Sequence, residues 1–388
     1  MAAKNHDVLV IGSGVIGSSI AYHLARQGTN VRVIEARSAV ASTPVASWAS
    51  AGGVRRQGRH PAEASLASEA IARWPTLEQE LEADVHYRQG GNLLLAESEA
   101  EAQQIVQFVQ EQQAMGFSDV RLVDRSEALQ IVPDLNDQVV AGSFSPADGQ
   151  ADPALTTRAF AAAAQRLGTS YQFGTTALSL LTSGTHVTGV QTDHGDIYAQ
   201  HIVLAAGAWS DTLAESIGLY LPIRTLALQM VLSTPAQPGL VQPVLSALNR
   251  ALSLKQLADG SFLLGGGWLG DITSDRASYT IRPSSEQGNW QTACELVPAI
   301  SQLQIARSWC GLEAESIDEI PFVGVVPGWD GLTLALGFSG HGFAISPAIG
   351  RAMADLISGK EIRELEGLSP ERMEGFGSYP YQRTITIL

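Results

Sequence analysis

The feature that most constrains this chain is a glycine-rich turn between a strand pattern and a helix pattern near its start. Residues 7–12 read DVLVIG, a short apolar run rich in β-branched residues, which predicts a parallel strand buried on both faces. The turn GSGVIG follows, and SSIAYHLARQG then repeats its apolar residues at helical spacing up to Gly28. A second alternating strand, NVRVIEA, carries Glu35. This order predicts a strand–helix–strand unit.

The spacing of this turn is typical of dinucleotide binding. Gly12 permits a tight turn, Gly14 lets the backbone approach a pyrophosphate, and Gly17 allows close packing of helix against strand. The helix N-terminus offers N–H groups and a partial positive charge to the phosphates. Glu35 is placed to accept hydrogen bonds from ribose hydroxyls. The motif alone does not choose between NAD and FAD. The residues expected to contact the cofactor here are Gly12, Gly14, Val15, Ile16, Gly17, Glu35, Ala36 and Arg37.

Composition excludes several other classes. The 388 residues are 45% hydrophobic, enough to bury a core, and the length allows two domains or one interleaved unit. With 24 Lys plus Arg against 39 Asp plus Glu, the net charge of −15 disfavours nucleic acid and anionic lipid as partners. No signal-peptide pattern or transmembrane run is seen, and two cysteines are too few for a four-cysteine zinc site. We expect a soluble cytoplasmic protein without a metal, and the oligomeric state stays open.

Two later segments favour FAD over NAD. Residues 201–210, HIVLAAGAWS, read as a buried strand that runs into a small-residue turn able to lie against a bound dinucleotide. Residues 331–359 read as a strand, a glycine-rich turn and a helix. The second helix N-terminus suits an isoalloxazine ring, whose reduced form carries negative charge. The residues expected to contact the cofactor here are Ala206, Gly207, Trp209, Gly337, Ser339, Gly340, His341, Gly342 and Phe343.

Together with WCGLEAESIDEIPFVG, these segments make the chain resemble the FAD-dependent D-amino acid oxidase family, which includes glycine and sarcosine oxidases, D-amino acid dehydrogenases and β subunits of heteromeric amine dehydrogenases. The resemblance implies an α/β fold: a Rossmann-like FAD-binding domain of the glutathione reductase type and a second, mostly antiparallel β domain for substrate. Period-two runs within residues 220–270 agree with an antiparallel sheet. We expect the FAD-binding domain to comprise residues 1–84, 150–219 and 311–388, and the substrate domain residues 85–149 and 220–310.

The resemblance also implies an activity. FAD, held non-covalently, accepts a hydride from the carbon that bears the amine of a D-amino acid or a sarcosine- or proline-like secondary amine, and the imine then hydrolyses. The electron acceptor is oxygen, a quinone or a partner subunit. The alternative is an FAD-holding subunit of a heteromeric amine or opine dehydrogenase, inactive without its partner chains. An NAD-dependent dehydrogenase is disfavoured by the two later segments.

Catalytic candidates come from two loops. In similar proteins the glycine-rich loop SWASAGGVRRQGR passes near the flavin, so Ser50, Ala51, Gly52 and Gly53 are expected to contact FAD. A basic residue after it can pair with a substrate carboxylate, since Arg binds carboxylates in bidentate fashion. We favour Arg55 over Arg56 and Arg59; the alternative roles are pyrophosphate binding or solvent exposure. His341 is expected to face the flavin, unless only the glycines of its turn matter.

This chain departs from the family pattern in three places, two in the stretch WCGLE and one in the predicted hairpin strand SFLLGGGW, residues 261–268. Glycine oxidase-like members have an arginine after WAGL, where this chain has Glu313; that carboxylate either attracts a cationic amine or turns to a surface partner. Cys310 lies one position before the cysteine that binds FAD covalently in monomeric sarcosine oxidases, so a linkage and an inert buried thiol are both open. The strand SFLLGGGW lacks the family's oxygen-activating lysine, and Lys255 on the preceding strand is expected to face elsewhere.

Other residues are weaker candidates. Four aromatic side chains are candidates for an amine-binding cage, although core packing is the commoner role for such residues. Asp318 resembles a turn acid of the family and is interpreted as structural. The aromatic candidates are Trp48, Tyr87, Trp268 and Trp309.

Overall fold

The computed structural model describes residues 6–375. Within them the helices are α1 Val15–Arg26, α2 Ala46–Ala49, α3 Ala64–Leu81, α4 Glu99–Ala114, α5 Arg125–Ile131, α6 Pro153–Arg166, α7 Ser210–Glu215, α8 Pro283–Leu296 and α9 Gly342–Ile357. The strands are β1 His6–Ile11, β2 Val31–Glu35, β3 Gly53–Val54, β4 Asn92–Ala96, β5 Arg121–Asp124, β6 Ala141–Ser145, β7 Gly149–Gln150, β8 Ser170–Phe173, β9 Ala177–Ser183, β10 His186–Thr192, β11 Gly195–Leu204, β12 Ile223–Ser233, β13 Val244–Ala247, β14 Ser253–Gln256, β15 Phe262–Gly265, β16 Asp271–Ile272, β17 Tyr279–Thr280, β18 Ile305–Ser316, β19 Phe322–Val325 and β20 Leu332–Leu336.

The first sheet carries the predicted strand–helix–strand unit. Its strands run in the order β19-β20-β11-β1-β2-β8, with β10 and β9 attached to β11. Pairing is parallel from β20 to β8, which brings the carboxyl ends of these strands to one edge of the sheet. Helices α1, α6 and α9 pack together beside it, where Ile20, Phe160 and Ile349 share one apolar core. The predicted Rossmann-like fold is confirmed.

The second sheet is mostly antiparallel, as predicted. Its order is β18-β12-β15-β14-β13-β4-β6-β5, and the β13–β4 pair is parallel. Its strands fall within the two segments expected for a substrate domain, except that β18 continues past residue 310 to Ser316. Strand β18 pairs with β12 along its whole length and also contacts the first part of the chain, because the Leu312 N–H donates to Pro44 O at 2.7 Å. The division into two domains stays a prediction.

Two glycines of the first turn are required by close approaches of the backbone. Gly12 has a φ of +103°, and a Cβ there would lie 2.5 Å from the carbonyl oxygen of Ala205. A Cβ on Gly17 would lie 2.1 Å from Gly12 O, so this glycine sets the distance between α1 and β1, as predicted. The turn therefore sits directly against the end of β11. In the described part of the chain, no helix has both the length and the apolarity needed to cross a bilayer.

Candidate active site

A cavity of about 1240 Å³ lies between the carboxyl edge of the first sheet and the second sheet. Helix α1 begins at one side of it and α9 at another, and the N-cap residue of neither helix makes a side-chain capping hydrogen bond. Gly17 is the one predicted cofactor residue that does not line this cavity. The predicted residues that line it are Gly12, Gly14, Val15, Ile16, Glu35, Ala36, Arg37, Ser50, Ala51, Gly52, Gly53, Arg55, Ala206, Gly207, Trp209, Glu313, Gly337, Ser339, Gly340, His341, Gly342 and Phe343.

Glu35 is held in place at the end of β2. One of its carboxylate oxygens accepts hydrogen bonds from the backbone N–H and hydroxyl of Ser13, at 2.9 and 2.8 Å, and the other from the Arg37 N–H at 2.9 Å. The Arg37 guanidinium lies over the ring of Trp209, 5.5 Å from its centroid. These contacts fix a carboxylate beside the α1 turn, where a ribose hydroxyl of a dinucleotide would need an acceptor.

Several residues of this wall were not predicted from the sequence. Ser47 accepts a hydrogen bond from the Val15 N–H at 2.9 Å and thereby attaches α2 to the start of α1. A stretch that begins two residues after β8 also lines the cavity, because β8 ends at the same sheet edge as β2. No pattern in the sequence marked these residues, because β8 is a half-exposed strand at the edge of the sheet. The stretch comprises Thr175, Thr176, Ala177 and Leu178.

Two of the three loop arginines line the cavity. Arg55 Nη1 donates to Gln57 O at 2.6 Å, and Arg59 Nε donates to Arg55 O at 3.2 Å. Arg59 is 4% exposed, and its Nη1 has no hydrogen-bond partner among the described residues. Burial lowers the pKa of Arg59 to about 10, so it remains a cation at neutral pH. Arg56 turns away and forms an ion pair with Asp119. The preference for Arg55 over Arg59 thus has no support in the geometry.

His341 is the N-cap residue of α9 and faces a carboxylate that the sequence analysis missed. Its Nδ1 lies 3.6 Å from Oε2 of Glu63, a residue directly before α3 that is fully buried. Neither oxygen of Glu63 has a hydrogen-bond partner in the described structure. Burial, and then the charge of Arg59, lower the pKa of His341 to about 4. Glu63 follows Arg59 by four residues, but nothing in the sequence pairs it with a residue so far along the chain.

Glu313 does not turn to a surface partner. Its Oε1 accepts a hydrogen bond from the Gly340 N–H at 3.0 Å. The carboxyl group therefore stabilises the turn at residues 337–341, just before α9, which is called the α9 turn below. Burial raises the pKa of Glu313 to about 7. Gly340 has a φ of +81°, a conformation that glycine adopts without strain. The residue that replaces the family arginine therefore lines the cavity and shapes its glycine-rich turn.

Cys310 and Lys255 occupy positions that the sequence did not resolve. Cys310 does not line the cavity; its Sγ lies 3.9 Å from Gln229 Oε1, and burial raises its pKa to about 12. This environment favours the inert-thiol alternative, because the thiolate is the reactive form. Lys255 does not line the cavity either, and the expectation that it faces elsewhere stays a prediction. Its Nζ donates to Ala151 O at 3.4 Å and lies close behind Gly52, and burial lowers its pKa to about 7.

Most of the proposed aromatic cage is not assembled. Trp268 lines the cavity and donates from Nε1 to Ala251 O at 2.7 Å. Trp48 and Trp309 pack against each other with centroids 6.4 Å apart, and Tyr87 stacks on the buried Trp74. Their role is packing, the commoner alternative for such residues.

Two smaller expectations concern ions. Asp318 accepts a hydrogen bond from Arg372 Nε at 3.0 Å, in keeping with its structural interpretation. Within residues 6–375, no group of three or more His, Cys, Asp or Glu side chains is arranged to hold a metal ion.

The cavity fits an elongated dinucleotide with a second aromatic ring system. One end presents the α1 N-terminus and the Glu35 carboxylate, and the other presents the α9 N-terminus. A Cβ on Gly53, Gly207 or Gly340 would meet no protein atom within 4 Å, so the backbone at these three positions is open to a bound group. The N-terminus of α1 suits the pyrophosphate of a dinucleotide, and that of α9 suits a ring system that becomes negatively charged on reduction.

The comparisons with known proteins agree with this geometry. Residues 7–356 match the family model described as "FAD dependent oxidoreductase" (DAO). Glycine oxidase from Pseudomonas aeruginosa is 31% identical over 368 residues, covering 91% of this chain and 95% of that protein. A protein of Rhizobium meliloti, named as one of the subunits of an opine oxidase, is 28% identical, covering 95% and 98%. The crystal structure of L-proline dehydrogenase from P. horikoshii superposes with a TM-score of 0.88 at 28% identity, covering 96% and 98%. A parallel sheet with a glycine-rich turn, a cavity between two helix N-termini and a family match across most of the chain lead to one conclusion: this chain belongs to the DAO family of FAD-dependent oxidoreductases.

Proposed function

We propose that this enzyme oxidises the C–N bond of a small amino acid or a secondary amine that carries a carboxylate. The observation that carries the proposal is a pair of guanidinium groups on the cavity wall, near the α9 turn: that of Arg59, which is buried, and that of Arg55, which is half-buried. A partly desolvated guanidinium binds a carboxylate strongly and fixes its orientation. The relatives named glycine oxidase and L-proline dehydrogenase also act on small amino acids, as their names state.

The chain's own residues supply binding and orientation rather than strong chemistry. Arg55 and Arg59, which both line the cavity, hold the substrate carboxylate. FAD, when bound, supplies the acceptor for the hydride that leaves the carbon bearing the amine. Apolar residues on the second-sheet side exclude water, which protects the reacting C–H bond from side reactions. They include Leu94, Leu228, Met230 and Leu252.

The test is anaerobic reduction of the flavin in the purified holoenzyme. The panel comprises glycine, sarcosine, D-alanine, both enantiomers of proline, and octopine as an opine. At least one amine is expected to bleach the flavin absorbance. Arg59→Ala is expected to weaken that reaction, whereas Glu69→Gln, a change at a half-buried carboxylate of α3 that does not line the cavity, should leave it unchanged. A spectrum that no member of the panel alters would refute the proposed activity. This assay needs no assumption about the electron acceptor.

The second candidate is an FAD-holding subunit that needs partner chains. It is favoured by the relative named as part of an opine oxidase, and by Glu313 at the position where an arginine was expected. The native mass and any co-purifying chains of protein taken from its own organism test this candidate. The electron acceptor is identified by reoxidising the reduced enzyme with oxygen or with a soluble quinone, in the absence and in the presence of the partner chains. Reoxidation that occurs only in the complex would identify a partner subunit as the acceptor. The cytoplasmic location stays a prediction, and cell fractionation tests it.

A further inference from the structure

A buried carboxylate without a hydrogen bond lies behind the α9 turn. Glu63 is 0% exposed, and neither of its oxygens has a hydrogen-bond partner in the described structure. The atom best placed to satisfy it is Nδ1 of His341, at 3.6 Å and also buried without a partner among the described residues. A movement of about 0.5 Å brings such a pair into hydrogen-bond range. Contacts of this kind are often long before substrate binds and shorten in the complex.

The His341 ring has one buried edge and one open edge. Nδ1 is buried on the Glu63 side, whereas the side chain as a whole is 22% exposed and lines the cavity. A carboxylate that accepts a hydrogen bond from Nδ1–H fixes the tautomer in which Nε2 carries the lone pair. The accessible ring nitrogen is then a proton acceptor that faces the space where substrate binds.

The charges around this pair keep His341 neutral. Arg55 and Arg59 approach from the loop after β3, Glu63 from the segment before α3, and Asp148 lies beside the two arginines. Burial and the guanidinium of Arg59 lower the pKa of His341 to about 4, while Glu63 opposes that shift. The imidazole is therefore in its basic form at neutral pH. A substrate carboxylate that neutralises Arg55 and Arg59 would make His341 more basic once substrate is bound.

We propose that His341 is the catalytic base that deprotonates the substrate ammonium group, and that Glu63 is its positioning residue. This inference rests on the proposed amine oxidation, in which only the neutral amine can release a hydride. In the step, the N–H bond of the ammonium group breaks and its electron pair stays on nitrogen as the lone pair. The proton bonds to Nε2 of His341, and the carboxylate of Glu63 balances the resulting imidazolium charge.

One test requires no substrate. ¹⁵N NMR of histidine-labelled holoenzyme, with the His341 signals assigned by comparison with His341→Gln, reports which ring nitrogen carries the proton. We expect the Nδ1–H tautomer at pH 7, and its loss in Glu63→Gln. It should persist in Glu69→Gln, a matched removal of one half-buried carboxylate of α3 that pairs with Arg351; neither Glu69 nor Arg351 lines the cavity. An Nε2–H tautomer in the unmodified enzyme overturns the inference. Because this measurement involves no amine, it is independent of the outcome of the substrate panel.

The second test is the pH dependence of anaerobic flavin reduction by the amine of the panel that reacts fastest. His341→Ala is expected to slow reduction about 10²- to 10⁴-fold at pH 7, the usual effect of losing a general base. The deficit should shrink towards pH 10, where the amine is already neutral in solution, and added imidazole should restore part of the rate at pH 7. Glu63→Gln should slow flavin reduction less than His341→Ala does, and this loss of rate should also shrink towards pH 10. A deficit that is equal at both pH values, without rescue by imidazole, would indicate a purely structural role and overturns the inference.

Discussion

Replacing Gly12 with alanine tests whether the first turn is fixed by backbone contact. The new Cβ would lie 2.5 Å from Ala205 O at a φ of +103°. The unfavourable backbone conformation costs about 1–3 kcal/mol and the overpacking about 1–3 kcal/mol more, so the free energy of unfolding should fall by about 2–6 kcal/mol. This is a large part of the usual 5–15 kcal/mol. Urea unfolding of the holoenzyme measures the loss, and FAD titration measures the accompanying decrease in affinity.

Gly28→Ala is the matched control for this change. Gly28 also has a positive φ, +82°, but an added Cβ there meets no atom within 4 Å. It should therefore lose only the conformational part, about 1–2 kcal/mol, with FAD affinity unchanged. The difference between the two variants isolates the contact with β11. Equal destabilisation of both, or Gly12→Ala protein that binds FAD normally, would refute the reasoning.

Three further predictions concern separate parts of the molecule. Arg59→Ala should raise the KM of the accepted amino acid about ten- to a hundredfold, since a hydrogen bond to a charged group contributes about 1.5–3 kcal/mol, whereas Arg56→Ala, whose guanidinium pairs with Asp119, should not. Burial lowers the pKa of His23 to about 3, so below pH 6.5 the unfolded chain binds a proton that the folded chain does not. At pH 5 this costs about 2 kcal/mol relative to pH 7, and His23→Gln should flatten that part of the pH dependence of unfolding. Because Cys310 does not line the cavity, FAD should not be linked to it covalently. Acid precipitation should then release all FAD into the supernatant, and Cys310→Ala should leave the flavin spectrum unchanged. Flavin that stays on the precipitated protein would contradict this geometry.

Features set by local sequence were predictable. A tight turn between a strand and a helix needs glycine at defined positions, so Gly12, Gly17 and Gly340 could be assigned from spacing alone. The strand–helix–strand unit followed from the same local pattern, the Rossmann-like domain from the family resemblance, and the antiparallel second sheet from that resemblance together with period-two runs. Such features need no knowledge of where distant segments meet.

Features that depend on distant contacts could not be predicted. Glu63 has no local signal, because its significance comes from His341, which reaches it only after the α9 turn is assembled. Cys310 shows a second limit: along a strand, an offset of one residue reverses the direction of the side chain. Gly311 lines the cavity, whereas Cys310 packs against Gln229. An alignment uncertain by one position therefore could not decide between a linked and an inert thiol.

The continuity of β18 has a practical consequence for building chimeras. Residue 310 looks like a natural junction, yet a cut there falls in the middle of a strand that pairs with β12 from Ser233 to Ile223. A hybrid joined at that point would combine two half-strands from different parents in one ladder, and would also exchange the segment that meets Pro44. Crossover points for recombination with relatives belong after Ser316, so that β12 and β18 are inherited as a unit.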